Sequence, residues 1–295
     1  MLKMKNLLVE APEDDIKKAA DSGLAQSVSL LQKLATDPDT SDLLNKGKED
    51  GDLKDESIKM STGNIPCTKM FPTQAEIGFG NSLDDMVANK YKVVDTCFKS
   101  PVTILGPVLC AKVGGKIMIL DGHHRWSSCF MINRNAKMVC DILEMPAGKD
   151  AEDALKIMQI AIAAKAKAIK TKNFEGQDLM ATGTDEVKQY VIDKMLPEVV
   201  ELFSKYTNGA LAEKESIAEE VGEAHKDIVS MKGEFPRNIM PQADHTGGDG
   251  TQDIVNKALA AGEINFDEPF TVSDGYKATG KQLKEHFQRI ANIKG

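Results

Sequence analysis

Two histidines and an arginine follow an aspartate–glycine pair in the stretch KIMILDGHHRWSSCFMIN, residues 116–133. The apolar run before them reads as a strand and the run after them as a helix. The first turn of a helix carries backbone N–H groups with no intrahelical partner and the positive pole of the macrodipole. A strand, a glycine turn and a helix start therefore form a natural seat for phosphate. Each residue of the turn suits that chemistry. Gly122 lets an oxygen approach the backbone, and Arg125 offers a bidentate guanidinium. His123 and His124 can donate to phosphate or move a proton. Asp121 can fix a histidine tautomer or bind Mg²⁺ through water. The competing reading, in which Asp121 merely caps the helix and both histidines are surface residues, is weaker. Histidines beside an arginine are poor choices at the positive end of a helix.

The elements that must position this turn lie between residues 67 and 146. IPCTKMFPTQ offers a brief strand ended by Pro72, and NSLDDMVANK a helix capped by Asn81 or Ser82. PVTILGPVLCAKVGGKIMILD reads as strand, Gly114–Gly115 turn, strand. The second of these strands is apolar on both faces at Ile117, Met118, Ile119 and Leu120, which suits the middle of a covered sheet. A helix from His123 and a strand in KMVCDILEMP complete a compact α+β unit. Within that helix, Trp126 with Phe130 one turn on is expected to pack against the sheet, leaving the indole edge near the groove.

On either side the texture changes. Residues 12–35 carry apolar residues near helical spacing, so 1–35 is read as an N-terminal helix and the polar, acidic 36–66 as a linker. From 147 to 295 the pattern is mostly helical: one helix in DAEDALKIMQIAIAAKAKAIK, and a second in TDEVKQYVIDKMLPEVVELFSKY with Thr184 as cap and a kink or break at Pro197. A third helix follows in AEKESIAEEVGEAHKDIVSM, then a glycine-rich loop NIMPQADHTGGDGTQ, a short helix near 252–261 and a last one from Thr279.

Composition narrows the function. Five cysteines, at 67, 97, 110, 129 and 140, form no C-x-x-C pair and argue against a disulfide framework or structural zinc. The formal net charge of −8 divides into −4 up to residue 66, +2 for 67–146 and −6 beyond. Such a chain lacks the basic face that gripping a long polyanion requires, and the mildly basic middle suits a small anion. The longest apolar stretch, IMQIAIAAKAKAI, is broken by Lys165 and Lys167, and the N-terminal apolar core is too short for a secretory signal. The expectation is no membrane and a cytoplasmic location. Lys165, Lys167, Lys170 and Lys172 are better explained as a solvated helix end than as a nucleic-acid contact. His245 with Asp244 and Asp249 is better explained as a solvated loop than as a metal site. Arg237 and Gln242 flank NIMP, and polar groups around such a proline turn could fold back to cover a bound nucleotide, though nothing in the sequence physically requires it.

The segment from Cys67 to Pro146 resembles the fold shared by ParB N-terminal domains, sulfiredoxin and the free serine kinases. MFPTQAEIGFGNSL is similar to the entry segment of that domain and ILDGHHRW to its phosphate-binding turn. The resemblance implies nucleotide binding, of ATP or ADP with Mg²⁺, at Gly122, His123, His124 and Arg125. Phosphoryl transfer or nucleotide hydrolysis would follow, with Asp121 as the metal residue and Glu76, His124 and Asp121 as catalytic candidates. A small molecule or a protein would accept the phosphate. The DGHHR form matches the free serine kinases, whose catalytic base is a glutamate of the entry segment, and Glu76 is the carboxylate available here. Sulfiredoxins have a reactive cysteine where this chain has His123, so sulfinic acid repair is not implied. Chromosome-partitioning ParB proteins have Arg-Arg in the turn and continue into a DNA-binding helix-turn-helix, neither of which is found here. Long extensions on a DGHHR domain resemble phage proteins labelled as ParB-like nuclease domains, which would place the chain in the host cytoplasm. A DNA-binding module or nuclease, and a non-enzymatic scaffold gated by nucleotide, are the alternatives.

Overall fold

The computed structural model describes residues 59–87, 91–145, 147, 148, 150–155, 158, 162, 169, 170, 173–240, 242, 243 and 250–260. The chain is α+β and divides into two compact units. The first is built of residues 59–151 and 172–240. It contains strands β1 (Lys59–Pro66), β2 (Met70–Pro72), β3 (Val108–Val113), β4 (Lys116–Asp121) and β5 (Lys137–Glu144). Its helices are α1 (Phe79–Val87), α2 (Tyr91–Lys99), α3 (His123–Ile132), α4 (Thr184–Lys194), α5 (Pro197–Tyr206) and α6 (Lys214–Met231).

The five strands form one mixed sheet in the order β1-β5-β3-β4-β2. β3 and β4 make the antiparallel hairpin expected from Gly114–Gly115, both glycines standing at positive φ. β5 lies parallel to β3, β1 antiparallel to β5, and β2 parallel to β4. β4 is thus second from an edge, with Ile119 and Leu120 buried and Ile117 and Met118 only partly so. Residues 59–66, assigned from composition to the acidic linker, are instead the edge strand β1, paired along its length with β5. Their Ser, Thr, Gly and Asn content hid this, because a strand with one exposed side needs few apolar residues.

Helix boundaries show smaller differences. α1 starts at Phe79, two to three residues before the expected caps, and the Ser82 hydroxyl bonds back to the Gly78 carbonyl at 2.8 Å. Thr184 is the first residue of α4 rather than its cap, which is Gly183. Pro197 does break the helix, separating α4 from α5 at Met195–Leu196. α6 begins with a capping box between Glu213 and Ser216.

A boundary at 146/147 is not where the core divides. Val187, Val191, Phe203, Ile217, Val221 and Ile228 from α4–α6 belong to the same buried cluster as Trp126, Phe130, Ile119 and Cys140. Tyr190 meets Phe79 edge-on at 4.9 Å and hydrogen-bonds Asp84. Arg134 after α3 pairs with Asp227 and Glu220 of α6. The helices beyond residue 172 complete the sheet domain because α1 and α3 would otherwise expose apolar faces.

The second unit has few described residues. Residues 152–155, 158 and 162 are helical, whereas Ile169–Lys170 form strand β6, paired antiparallel with β7 (Gln242–Ala243), so the predicted helix does not extend through Lys170. Helix α7 (Thr251–Ala260) agrees with expectation. The predicted N-terminal and C-terminal helices, and Asp244, His245 and Asp249, lie outside the described residues. Among those described, the five cysteines are free and buried, and no helix is long and apolar enough to cross a membrane.

α6 ends at Met231; its C-cap Lys232 stands at φ 45°, and the chain turns back so that Gly233 lies against the backbone of Gln74. A Cβ at 233 would fall 1.9 Å from the Gln74 carbonyl oxygen. Gly233→Ala is expected to lower stability by about 1–3 kcal/mol by forcing the two backbones apart. Urea denaturation of the variant against wild type measures this.

Candidate functional site

β4 delivers Asp121 to the edge of the sheet and Gly122, at φ 106°, turns the chain into α3. No side chain caps this helix. The two histidines of its first turn then part company. His123 turns inward, 4% exposed, and its Nε2 accepts the main-chain N–H groups of Thr73 and Gln74, both at 3.2 Å. Its proton must therefore reside on Nδ1. Burial pushes its pKa down to about 3, with the His124, Arg237 and Arg125 charges adding to the effect. At the phosphate seat His123 thus has its main-chain N–H to offer, its ring being committed to the entry segment.

His124 remains beside the turn. Its ring lies against Gly78, where a Cβ would meet Cε1 at 2.9 Å. Its Nδ1 is shielded from solvent, and among the described residues no side chain hydrogen-bonds it. Burial lowers its pKa, the Arg237 charge lowers it further, and the Gly78 main chain and Asp121 oppose them. Both histidines are accordingly neutral at pH 7. The Ser127 hydroxyl donates to Ser82 Oγ at 2.8 Å, tying α3 to α1 beside the ring.

Arg125 is braced by the protein. Nη1 donates to the carbonyls of Pro107, at 2.6 Å, and Leu105, at 3.1 Å, and Nη2 stands 3.7 Å from Asp121 Oδ2. The guanidinium crosses Gly122 so closely that a Cβ there would lie 2.8 Å from Nη2. Glycine at 122 is needed both for its φ and for this crossing. One edge of Arg125 thus holds the loop before β3. The Asp121 side chain is 42% exposed, open to solvent at the mouth of the turn.

The entry segment, Thr73 to Gly78, runs from the end of β2 to the start of α1. Several backbone groups here are paired with distant parts of the chain. Ala75 N–H bonds the Phe235 carbonyl at 2.8 Å, and Thr73 O accepts Glu234 and Phe235 N–H, each at 2.9 Å. On the other side Asp178 Oδ1 accepts Ile77 N–H at 2.9 Å, and Phe79 N–H bonds Gln177 O at 2.9 Å. His225, buried in α6, fixes this second clamp by donating from Nε2 to Leu179 O at 2.8 Å, while Nδ1 faces the Thr184 hydroxyl at 3.1 Å. The segment carries Glu76, whose Oε2 accepts the Arg237 N–H at 2.6 Å. Gln74 hydrogen-bonds the Glu76 carbonyl.

Arg237 therefore joins the group. Its charge reaches both histidines, and Asp121 and Glu76 in turn support its ionisation against the effect of burial. The structure gathers Asp121, Gly122, His123, His124 and Arg125 as expected, with Glu76 within the field of the same arginine. Arg237, more than a hundred residues from the turn, stands out in the sequence only as a polar group beside NIMP that could fold back over a nucleotide. Gly78 and Asp178 carry no sequence signal. Trp126 packs with Phe130 as expected, but it is wholly buried and its indole N–H is spent on the Cys67 carbonyl at 3.1 Å. Among the described residues no three His, Cys, Asp or Glu side chains gather as a metal site. Comparison of the chain with protein-family models, curated proteins and solved structures gives no match in any of the three.

His123→Ala would leave two buried N–H groups without an acceptor and is expected to cost about 1–3 kcal/mol at pH 7. The cost should shrink on acidification. The unfolded state takes up a proton below a pKa near 6.5 while the folded ring resists until about 3, so wild type loses this stabilisation as pH falls through that window. Urea denaturation of both proteins from pH 7 to pH 4 gives the difference directly.

Proposed function

We propose that the chain binds a nucleotide through its phosphates at the start of α3, with phosphoryl transfer or hydrolysis as the reaction and a domain of the ParB/sulfiredoxin type as its framework. The observation that carries this reading is the helix start without a side-chain cap, with the Arg125 guanidinium across its glycine turn, a neutral His124 beside it and Arg237 anchored on the adjacent entry segment. An anion there would meet the first-turn N–H groups and the positive pole of α3. The absence of a Cβ at Gly122 makes room for the Arg125 guanidinium to lie across the turn. A neutral His124 is in the form that accepts a proton from an attacking hydroxyl or water. Asp121, exposed at the mouth, is the residue to hold Mg²⁺ together with phosphate oxygens, as that ion usually combines one or two carboxylates with substrate phosphates. The metal would neutralise charge on the transferred group. Glu76 has Oε1 left for catalysis, since Oε2 holds the Arg237 backbone.

Calorimetric titration with ATP and ADP in the presence of Mg²⁺ is expected to give saturable binding, and inorganic phosphate should compete weakly. Gly122→Ala should weaken binding at least tenfold, because the new methyl displaces Arg125 and strains a φ of 106°. His124→Ala should lower phosphate release or transfer far more than affinity. Binding without turnover by wild type would identify the nucleotide-gated scaffold instead. Salt-sensitive binding of duplex DNA with no response to nucleotide would identify the DNA-binding module.

A further inference from the structure

We infer that Arg237 is a second anchoring cation for the phosphate ligand, delivered to the site by the docking of residues 233–240 on the entry segment. The inference rests on the phosphate-binding reading of the α3 start and adds to it a residue and a coupling.

Three observations carry it. The first is how little the described residues use this guanidinium. Of its five N–H donors, one bonds the Met240 carbonyl, at 3.3 Å, and no carboxylate among the described residues forms an ion pair with it. Asp121 is nearer to Arg125, and Glu76 directs Oε2 to the Arg237 main chain rather than to its side chain. A half-buried guanidinium with few partners is costly unless it meets an anion.

The second is where the arginine is held. Its main-chain N–H bonds Glu76 Oε2 at 2.6 Å, on the same entry segment whose Thr73 and Gln74 N–H groups bond His123 at the start of α3, and its charge lowers the pKa of both histidines. Arg125 has both Nη1 hydrogens engaged by two carbonyls, which leaves only its Nη2 and Nε donors for a ligand.

The third is that the placement is built. The turn at Lys232, the glycine at 233 that permits backbone contact, the pairing of Gln74 with Phe235 and the Glu76 anchor to Arg237 N–H fix the arginine from both sides. A ligand gripping Arg237 must then favour the docked segment, and docking must favour the ligand to the same degree.

The test uses the full chain with Mg²⁺–ATP and, separately, pyrophosphate as probes. Arg237→Gln, of similar reach and no charge, is expected to weaken both by about 10- to 100-fold, the range for losing a charge-assisted contact. Arg237→Lys should recover part of the loss. Hydrogen exchange at the amides of Ala75, Glu234 and Phe235 supplies a readout that a purely structural arginine would not move. Either probe should slow these amides in wild type and leave them unchanged in Arg237→Gln. Wild type that binds neither probe overturns the phosphate reading and this inference together. Wild-type binding with Arg237→Gln equally tight, or equal ligand protection of the three amides in both proteins, overturns this inference alone and leaves the α3 site standing.

Discussion

One lone pair organises the site. Nε2 of His123 accepts two consecutive main-chain N–H groups from the segment that leaves β2, and it can do so only while the ring is neutral. A side chain in the first turn of α3 thereby sets the path of residues 73–79 across that turn. Everything that segment carries, Glu76 and the Gly78 backbone beneath His124 included, takes its place from this contact. Thr73 secures the same junction by donating its hydroxyl to the Ile119 carbonyl at 2.6 Å. An aspartate or asparagine would be too short to span from the helix start to two amides, and a charged imidazole would have no lone pair to offer.

The segment so placed has no neighbour in the main sheet on its outer side, and unpaired buried N–H groups are expensive. Residues 177–179 and 233–237 answer them. These two clamps lie at either end of the helical region, which explains why α4–α6 share a core with the sheet. The helices hold the clamps at a fixed separation, and His225 locks one of them from inside α6. The extension beyond the strand–turn–helix is thus part of the site's support.

Electrostatics follows from this packing. Burial, together with two guanidinium groups, keeps both histidines neutral, so the positive charge of the site resides in Arg125, Arg237 and the start of α3. Asp121 and Glu76 are the balancing carboxylates. The arrangement separates residues that their types alone leave merged: His123 positions the entry segment, His124 lies beside Gly78, and Arg125 braces the loop before β3.

The sequence by itself determined the local units. The strand–turn–helix around Gly122, the Gly114–Gly115 hairpin, the break at Pro197 and the inward packing of Trp126 follow from periodicity and backbone stereochemistry over fewer than twenty residues each. β1 escaped because an exposed edge strand bears little apolar signal, and β6 because two residues carry no period. Which histidine turns inward was likewise invisible, since His123 and His124 differ only in what lies across from them. That depends on a segment fifty residues earlier. Only the tertiary structure brings Asp178 to Ile77 and Arg237 to Glu76, contacts across 101 and 161 positions. Hydrophobic periodicity reports the face a residue buries, not the partner it meets, and the partner is decided by how α4–α6 close on the sheet.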